Sequence, residues 1–269
     1  MDSLSKQYRE YKHSLLWNGS SAEEPRLDAA QARRLLADSK AWMIRNIYDW
    51  DCAEATEFWE IICDRNYAIE ELPSKSRNQI RRSLRDCEVR RLSNRELVEA
   101  DGYQVYARAF ERYHDVTSGP IERQLWENQT LSDGVSEYWG VFLRESGKLI
   151  AWGLATVTGS GVNYNTLKAI PELMNRHYPY FGLLYTMNRH YLGERGFDYV
   201  TDGYRSITEH SNIQPFLEKH FLFRKAYCRV DIHYRLWMRL MINFLYPFRR
   251  LIPITSLRHL LRFEQIARS

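Results

Sequence analysis

The chain has 269 residues, of which 44% are hydrophobic and 27% are charged, proportions typical of a globular protein with one large core or two smaller ones. Its net charge of +4 is concentrated near the C-terminus, because residues 237–269 contain six Arg and one Glu. The rest of the chain is close to neutral. This distribution predicts a basic tail and argues against a protein that binds DNA through a generally basic surface.

Cysteine spacing and hydropathy indicate the cellular compartment of the protein. The four cysteines form no C-x-x-C pair and have no histidine at metal-ligand spacing, which argues against a metal site or a disulfide framework. The first 25 residues contain no apolar signal segment, and no run of about 18 apolar residues occurs. We therefore expect a cytoplasmic protein without a spanning helix.

Hydrophobic periodicity in the first half predicts an α/β arrangement after a polar stretch at residues 1–25. The predicted helices are 27–39, 73–86 with Ser74 as N-cap, 94 to about 113, and 121–131. The predicted strands are 58–64, 68–72 and 88–92. We expect an N-terminal α/β half at residues 1–135.

The second half has a clearer pattern. Strands 138–144 and 149–157 flank Glu145-Ser146-Gly147-Lys148, a hairpin signal. The remaining predicted elements are strand 162–167, helix 179–194 ending at Arg195-Gly196, strand 197–201, helix 209–220 and strand 226–234.

This order of elements over residues 136–236 resembles the GNAT superfamily of N-acetyltransferases. The Phe221-Leu222-Phe223-Arg224 corner stands where that superfamily usually has a Gly-Phe-Arg turn. The resemblance implies a mixed sheet flanked by helices, and an acyltransferase activity.

A second resemblance lies in the front half. Residues 75–84, KSRNQIRRSL, followed by the strand EVRRL, look like the K-x-R-x-x-I-R pattern of Fem-type peptidoglycan-bridge aminoacyltransferases, which couple two GNAT-like halves. This implies that residues 1–135 form a second, degenerate GNAT-like unit beside a GNAT-like domain at 136–236 and a basic amphipathic helical tail at 237–269.

The donor site implied by the resemblance is altered in this chain. GNAT enzymes hold coenzyme A pyrophosphate at a glycine-rich helix start, whereas residues 177–182, HYPYFG, contain one glycine. Glu218 stands where many members of the superfamily have a tyrosine that acts as the general acid. Leu222 replaces the corner glycine, so we expect the turn at this corner to differ from that of the superfamily. The candidate cofactor residues are Tyr180, Phe181, Gly182 and Asn212. The donor is an acyl-CoA, or an aminoacyl-tRNA if the Fem-type resemblance is the truer one.

In the superfamily the acyl group lies between two strands that splay apart. On this sequence the flanking side chains are Asn163, Tyr164 and Asn165 on one strand, and Asp202, Tyr204, Arg205 and His210 after the other. Asp202, His210 and Tyr204 are the candidate catalytic residues, because a partly buried carboxylate or a histidine can take a proton near neutral pH. Asn163, Tyr164, Asn165 and Arg205 are the candidate substrate-binding residues.

Each of these residues also has a purely structural interpretation. Asp202 before Gly203 is ordinary turn chemistry, and His210 is compatible with a helix first turn. A surface ion pair explains Arg205, and helix capping explains Asn212.

Two charged regions allow alternative interpretations. Arg77, Arg81 and Arg85 share one helix face and could contact the phosphates of tRNA or a nucleotide-linked substrate, or form a solvated face. The tail combines large apolar residues with Arg249, Arg250 and other arginines. It suits an anionic membrane interface, and equally packing against a second subunit.

The sequence therefore predicts an N-acyltransferase or aminoacyltransferase that forms an amide by direct attack of a positioned amine. The acceptor is a small molecule or a peptidoglycan-precursor-like amine. The alternative is a non-catalytic GNAT-like binding module at the inner face of the membrane.

Overall fold

The computed structural model describes residues 4–111, 119–205 and 213–268. Contacts divide these residues into two units. The terminal unit contains residues 4–60, 204–205 and 225–268, and the central unit contains residues 61–203 and 213–224. The predicted boundaries after residues 135 and 236 differ from this division and stay a prediction.

The central unit is built on five neighbouring strands. In chain order they are β5 (Cys87–Leu92), β6 (Ser136–Leu143), β7 (Leu149–Thr158), β8 (Gly161–Ala169) and β9 (Tyr199–Tyr204), whose last residue belongs to the terminal unit. Neighbours pair in this order, antiparallel from β5 to β8 and parallel between β8 and β9. The sheet is therefore mixed, as predicted.

Helices surround this sheet within the central unit. They are α2 (Ser74–Asp86), α3 (Asn94–Glu99), α4 (Gly102–Phe110), α5 (Arg123–Ser132), α6 (Met174–His177), α7 (Pro179–Asn188) and α8 (Ile213–Phe221). The core contains Ile80 of α2, Trp139 of β6, Leu183 of α7 and Phe221 of α8, each almost completely buried. Helices α2 and α7 approach closely, since a Cβ on Gly182 would lie 2.4 Å from Ser83 Oγ.

The terminal unit contains the strands β1 (Tyr8–Tyr11), β2 (Ser14–Trp17), β3 (Met43–Tyr48) and β10 (Arg224–Tyr234), paired in that order, and the first residue of β10 belongs to the central unit. Strands β2 and β3 are parallel, and the other two pairs are antiparallel. Strand β4 (Phe58–Cys63) has its first three residues in this unit. The unit's helices are α1 (Ala29–Ala37), α9 (Leu236–Leu245) and α10 (Thr255–Ala267).

Helix α1 shows how local sequence fixes an element of the terminal unit. Asp28 accepts hydrogen bonds from the backbone N–H groups of Ala30 and Gln31, and the Gln31 side chain accepts from the Asp28 N–H, which is a complete capping box. At the other end, the Arg235 guanidinium donates to the carbonyls of Leu36 and Ser39. Both ends of the helix are thus satisfied by side chains.

Two predictions for the first half are wrong, and one hairpin in it is not predicted. Residues 68–72 form a 3₁₀ turn, Ile69–Glu71, in which the Glu71 carboxylate accepts from the Ala68 N–H, instead of a strand. The helix predicted from 94 to 113 breaks into α3 and α4, because Asp101 takes a left-handed backbone with φ +57°. The polar stretch 1–25 contains the hairpin of β1 and β2.

Candidate functional site

Strands β8 and β9 separate after a short pairing. Their parallel register comprises three residue pairs and ends at Asn163 and Thr201. Strand β8 continues to Ala169 and β9 continues beyond Thr201, with no further pairing between the two among the described residues. We call the separation beyond Asn163 and Thr201 the strand divergence. It frees main-chain groups of both strands from the β8–β9 ladder.

A β-bulge lies in β8 beside the strand divergence. Leu154 of β7 pairs with Thr166, and Ala155 pairs with Tyr164, so Asn165 is the extra residue. Bulges disrupt the ladder locally and re-aim side chains, and they are frequent next to active sites. The Asn163 and Asn165 side-chain amides donate to the hydroxyls of threonines on β7, at 3.4 and 3.2 Å. Sequence alone gave no signal for this bulge.

Asp202 is the first residue of β9 beyond the paired segment. Burial raises the pKa of its carboxyl from 3.8 to about 7. Among the described residues, burial is the one cause of this shift. The next residue, Gly203, has φ +91°, a backbone conformation that favours glycine, and its N–H donates to Thr201 Oγ1 at 2.8 Å. Asp202 is thus a half-buried acid poised to titrate near neutral pH.

The comparisons with known proteins bear on this geometry. No protein-family model matches the chain, and no curated protein matches its sequence. Among solved structures, the crystal structure of FemX matches 81% of this chain and 81% of its own, with a TM-score of 0.55 and 12% identity. The L-PGS structure from Bacillus licheniformis matches 88% of this chain and 83% of its own, with a TM-score of 0.48 and 9% identity.

A PaiA N-acetyltransferase from Thermoplasma acidophilum, solved with coenzyme A, matches 41% of this chain and 74% of its own, with a TM-score of 0.33 and 15% identity. The fold is GNAT-like. The resemblances to GNAT and Fem-type proteins are confirmed at the level of the fold, which is all that likenesses of this identity show.

Tyr164 stands between Asn163 and Asn165 in β8, and its contacts lie on another element. It is buried, and its hydroxyl donates to Asn188 Oδ1 at 2.8 Å, while Asn188 Nδ2 donates to the Tyr67 hydroxyl at 2.8 Å. Burial raises the pKa of Tyr164 well above its usual value. The hydroxyl therefore joins α7 to β8, and a substrate-binding role for Tyr164 stays a prediction.

A small cleft adjoins this buried network. It has no room for a water molecule, and it is lined by Asn66, Tyr67, Asn188, Arg189 and Leu192. Immediately after α7 the chain widens into a π-helical turn, Arg189–Glu194. Such turns are rare and occur frequently at functional sites. The periodicity of the sequence predicts one continuous helix here and cannot distinguish a π turn from an α turn.

The predicted cofactor residues at the start of α7 are used for packing. The Tyr180 hydroxyl donates to the Leu167 carbonyl at 3.2 Å, and the Phe181 ring packs edge-on against Phe216 of α8. Gly182 provides the close approach to α2. The chain enters α7 from the short helix α6, with no glycine-rich loop, and a cofactor role for these residues stays a prediction.

The corner residue Leu222 has a left-handed backbone. Its φ is +57°, a region that glycine enters freely, and our expectation of a turn different from the superfamily's stays a prediction. A bulky residue in this conformation costs about 1–2 kcal/mol. The following Arg224 forms an ion pair with Asp64, at 3.0 Å from its Nε.

Tyr204 and Arg205 belong to the terminal unit. The Tyr204 ring stacks on Phe58 at 5.5 Å, and burial raises its pKa well above 10, so the phenol is neutral. Arg205 forms an ion pair with Glu57 at 2.9 Å and lies over the Trp59 ring at 4.5 Å. The predicted catalytic role of Tyr204 and the predicted binding role of Arg205 stay predictions. His210 and Asn212 lie outside the described residues.

The three arginines of α2 all have partners within the central unit. Arg77 donates to two backbone carbonyls, Arg81 forms an ion pair with Glu70 at 3.5 Å, and Arg85 forms one with Asp86 at 3.0 Å. Exposed pairs of this kind contribute little free energy and can be exchanged for a phosphate. Their role in binding stays a prediction. Within the described ranges, no helix combines the length and the hydropathy needed to cross a membrane.

Proposed function

We propose that the chain is an acyltransferase that forms an amide by direct attack of an amine on an acyl donor held at the strand divergence. The observation that carries this proposal is the position of Asp202, an acid with a pKa of about 7, immediately beyond the last β8–β9 pair. Main-chain groups released from the ladder can hydrogen-bond an extended acyl or aminoacyl group, as an added strand would.

Asp202 acts as the general base in this reaction. An amine acceptor reaches the site as an ammonium ion and must lose a proton before its nitrogen can attack the acyl carbonyl. A carboxyl with a pKa near 7 is about half ionised at neutral pH and accepts that proton. Asp202 passes this first proton to solvent. As the new C–N bond forms, the bond from the carbonyl carbon to the donor oxygen or sulfur breaks, and the leaving group receives the second proton, which the attacking nitrogen loses on becoming an amide.

We propose an aminoacyl ester such as aminoacyl-tRNA as the donor, with an acyl-CoA thioester as the competing donor. The structure at the start of α7 favours the aminoacyl ester over the acyl-CoA thioester as donor. In GNAT-like coenzyme A sites a glycine-rich loop exposes backbone N–H groups to the pyrophosphate. Here Tyr178 is the N-cap and Pro179, which has no N–H, is the first residue of the helix, while Gly182 is occupied in packing against α2. The acceptor is a small or peptidoglycan-precursor-like amine.

We place this reaction in the cytoplasm, where both donor classes are made. None of the four cysteines forms a disulfide, which fits a reducing compartment.

The test pairs donor binding with product formation. The purified protein is titrated with charged and uncharged tRNA, acetyl-CoA, long-chain acyl-CoA and free coenzyme A, and amide products with a panel of amines are measured by mass spectrometry. We expect charged tRNA to bind and support amide formation. Asp202→Asn should lower the rate about 10²–10⁴-fold without changing donor affinity. Asp198→Asn, the same change at an exposed position just before β9, should have no effect.

A non-catalytic binding module is the competing function, and the missing glycine-rich loop favours it too. Donor binding without any amide product would support the module. Amide formation that is unchanged in Asp202→Asn would show that Asp202 is not the base. Binding of acyl-CoA in preference to charged tRNA would assign the thioester as donor.

A further inference from the structure

Helix α9 of the terminal unit is apolar on two sides. One side carries Met238 and Ile242, which are buried in a cluster with Leu261 of α10. The other side carries Trp237, Leu240 and Phe244, of which Leu240 is 63% exposed and Phe244 is 71% exposed. A surface helix of a water-soluble protein normally turns polar residues to the solvent. A helix that is apolar on two sides requires a second apolar environment.

The exposed apolar surface continues past the end of α9. It includes Phe248, Leu251 and Ile254, and Leu251 is 80% exposed. We define the apolar face as Trp237, Leu240, Phe244, Phe248, Leu251 and Ile254. Single exposed apolar residues are ordinary, whereas a group of large ones within 18 consecutive residues marks an interaction site.

Helix α10 provides an internal comparison. Leu261 and Phe263 are buried, whereas Arg258, Arg262 and Gln265 are exposed. This is the usual amphipathic pattern of a surface helix. The unusual feature is therefore confined to α9 and the segment that follows it.

The exposed charged side chains of residues 237–268 are all arginines. Exposed Arg239 precedes Leu240, exposed Arg250 precedes Leu251, and Arg258 is exposed on α10. The single carboxylate side chain of residues 237–269, Glu264, is buried and accepts hydrogen bonds from Tyr234 and Arg268, both at 2.7 Å. The exposed charges beside the apolar face are thus cationic, and their complement is an anionic surface.

Aromatic side chains complete the pattern. Trp237 packs edge-on against Trp42 of the same unit, with ring centroids 5.6 Å apart, and both indoles are partly exposed. Indole rings combine an apolar body with an N–H donor, and tryptophan is enriched where hydrocarbon meets lipid headgroups.

We infer that the apolar face docks on the surface of an anionic lipid bilayer, with α9 lying in the plane of the interface. Helices rich in arginine, with Trp, Phe and Leu on one face, bind membranes in this way. A symmetric pair of chains is disfavoured, because the exposed charges of residues 237–268 are arginines in both copies, and like charges at one interface repel. Lipid binding requires no acyl transfer, so this inference goes beyond the proposed function.

The test uses the full chain in flotation assays with phosphatidylcholine vesicles, with and without phosphatidylglycerol. We expect flotation with the anionic vesicles. Phe244→Glu combined with Leu251→Glu should reduce partitioning more than about tenfold. Leu131→Glu, at a residue of α5 that is 51% exposed, is the matched control and should leave binding unchanged. Arg250→Gln should reduce binding about fivefold, as should added salt.

Two results would overturn the inference: no binding of the wild type to anionic vesicles, or equal binding by the Phe244→Glu, Leu251→Glu variant. If light scattering shows a dimer that this variant abolishes, and vesicles do not bind, the face belongs to a second copy of the chain. Circular dichroism and the urea midpoint check that the variant is folded. If it is not, Phe244→Ser and Leu251→Ser are used singly, with the same expected loss.

Discussion

Replacing Asp202 with Asn should make the protein more stable while it removes the proposed base. The Asp202 carboxyl is half-buried, and burial raises its pKa to about 7. In the unfolded chain an aspartate ionises near 3.9. Asparagine has nearly the same shape as the protonated acid and never becomes charged, so the variant avoids the burial of a carboxylate.

The size of the effect follows from the linkage between protonation and folding. A difference of about three pKa units corresponds to about 4 kcal/mol when both states are fully ionised. Between about pH 4 and pH 7 the folded state holds more protons than the unfolded state, so wild-type stability falls as pH rises through this window. Below about pH 4 the carboxyl is protonated in both states, and its destabilising effect disappears. Above pH 7 this destabilisation by the ionised Asp202 carboxylate reaches its full size, which is a large part of the 5–15 kcal/mol by which a typical domain is stable.

Urea unfolding of the wild type and Asp202→Asn at several pH values measures this directly. We expect the advantage of the variant to grow by about 3 kcal/mol between pH 5 and pH 9. Asp198→Asn controls for the loss of a negative charge at an exposed site and should show no such growth. A free-energy difference between wild type and Asp202→Asn that is constant across this pH range would refute the raised pKa and the proposed base with it.

Three further substitutions test two packing contacts and one surface ion pair of the central unit, each by urea unfolding. Tyr164→Phe should destabilise the fold by about 1–3 kcal/mol, because it leaves the buried Asn188 carbonyl oxygen without its donor. Gly182→Ala should cost about 1–3 kcal/mol, since its Cβ would lie 2.4 Å from Ser83 Oγ, and adding Ser83→Ala should recover part of that loss; additive effects would contradict this contact. Arg95→Ala removes an exposed ion pair and should change the free energy of unfolding by less than about 1 kcal/mol.

The elements that the sequence predicts well are those whose signals are local. The hairpin of β6 and β7 is marked by two runs of apolar residues around Gly147, which indeed adopts φ +68°. The order from β8 through α7 to β9 also follows from short apolar runs and from the stop at Gly196, where φ is +66°. These signals were sufficient to identify the GNAT-like order of elements.

The missed strands depend on contacts that are remote in sequence. Strand β3 pairs with β10, and Ile47 lies opposite Val230. Strand β1 has one buried residue, Tyr8, and three exposed ones, so its composition is that of a loop. Such strands form because a neighbouring strand offers hydrogen bonds, and the periodicity of their own residues says little about it.

The properties of the candidate site also depend on contacts that are remote in sequence. Asp198 and Asp202 are the same residue type, four positions apart, and both stand near a glycine or a strand end. One is exposed, and the other is half-buried with a raised pKa. Asp202 lies on β9 just beyond its last pair with β8, and burial raises its pKa without a charged partner among the described residues. A sequence can therefore nominate the acid, whereas its burial and its raised pKa depend on the folded chain.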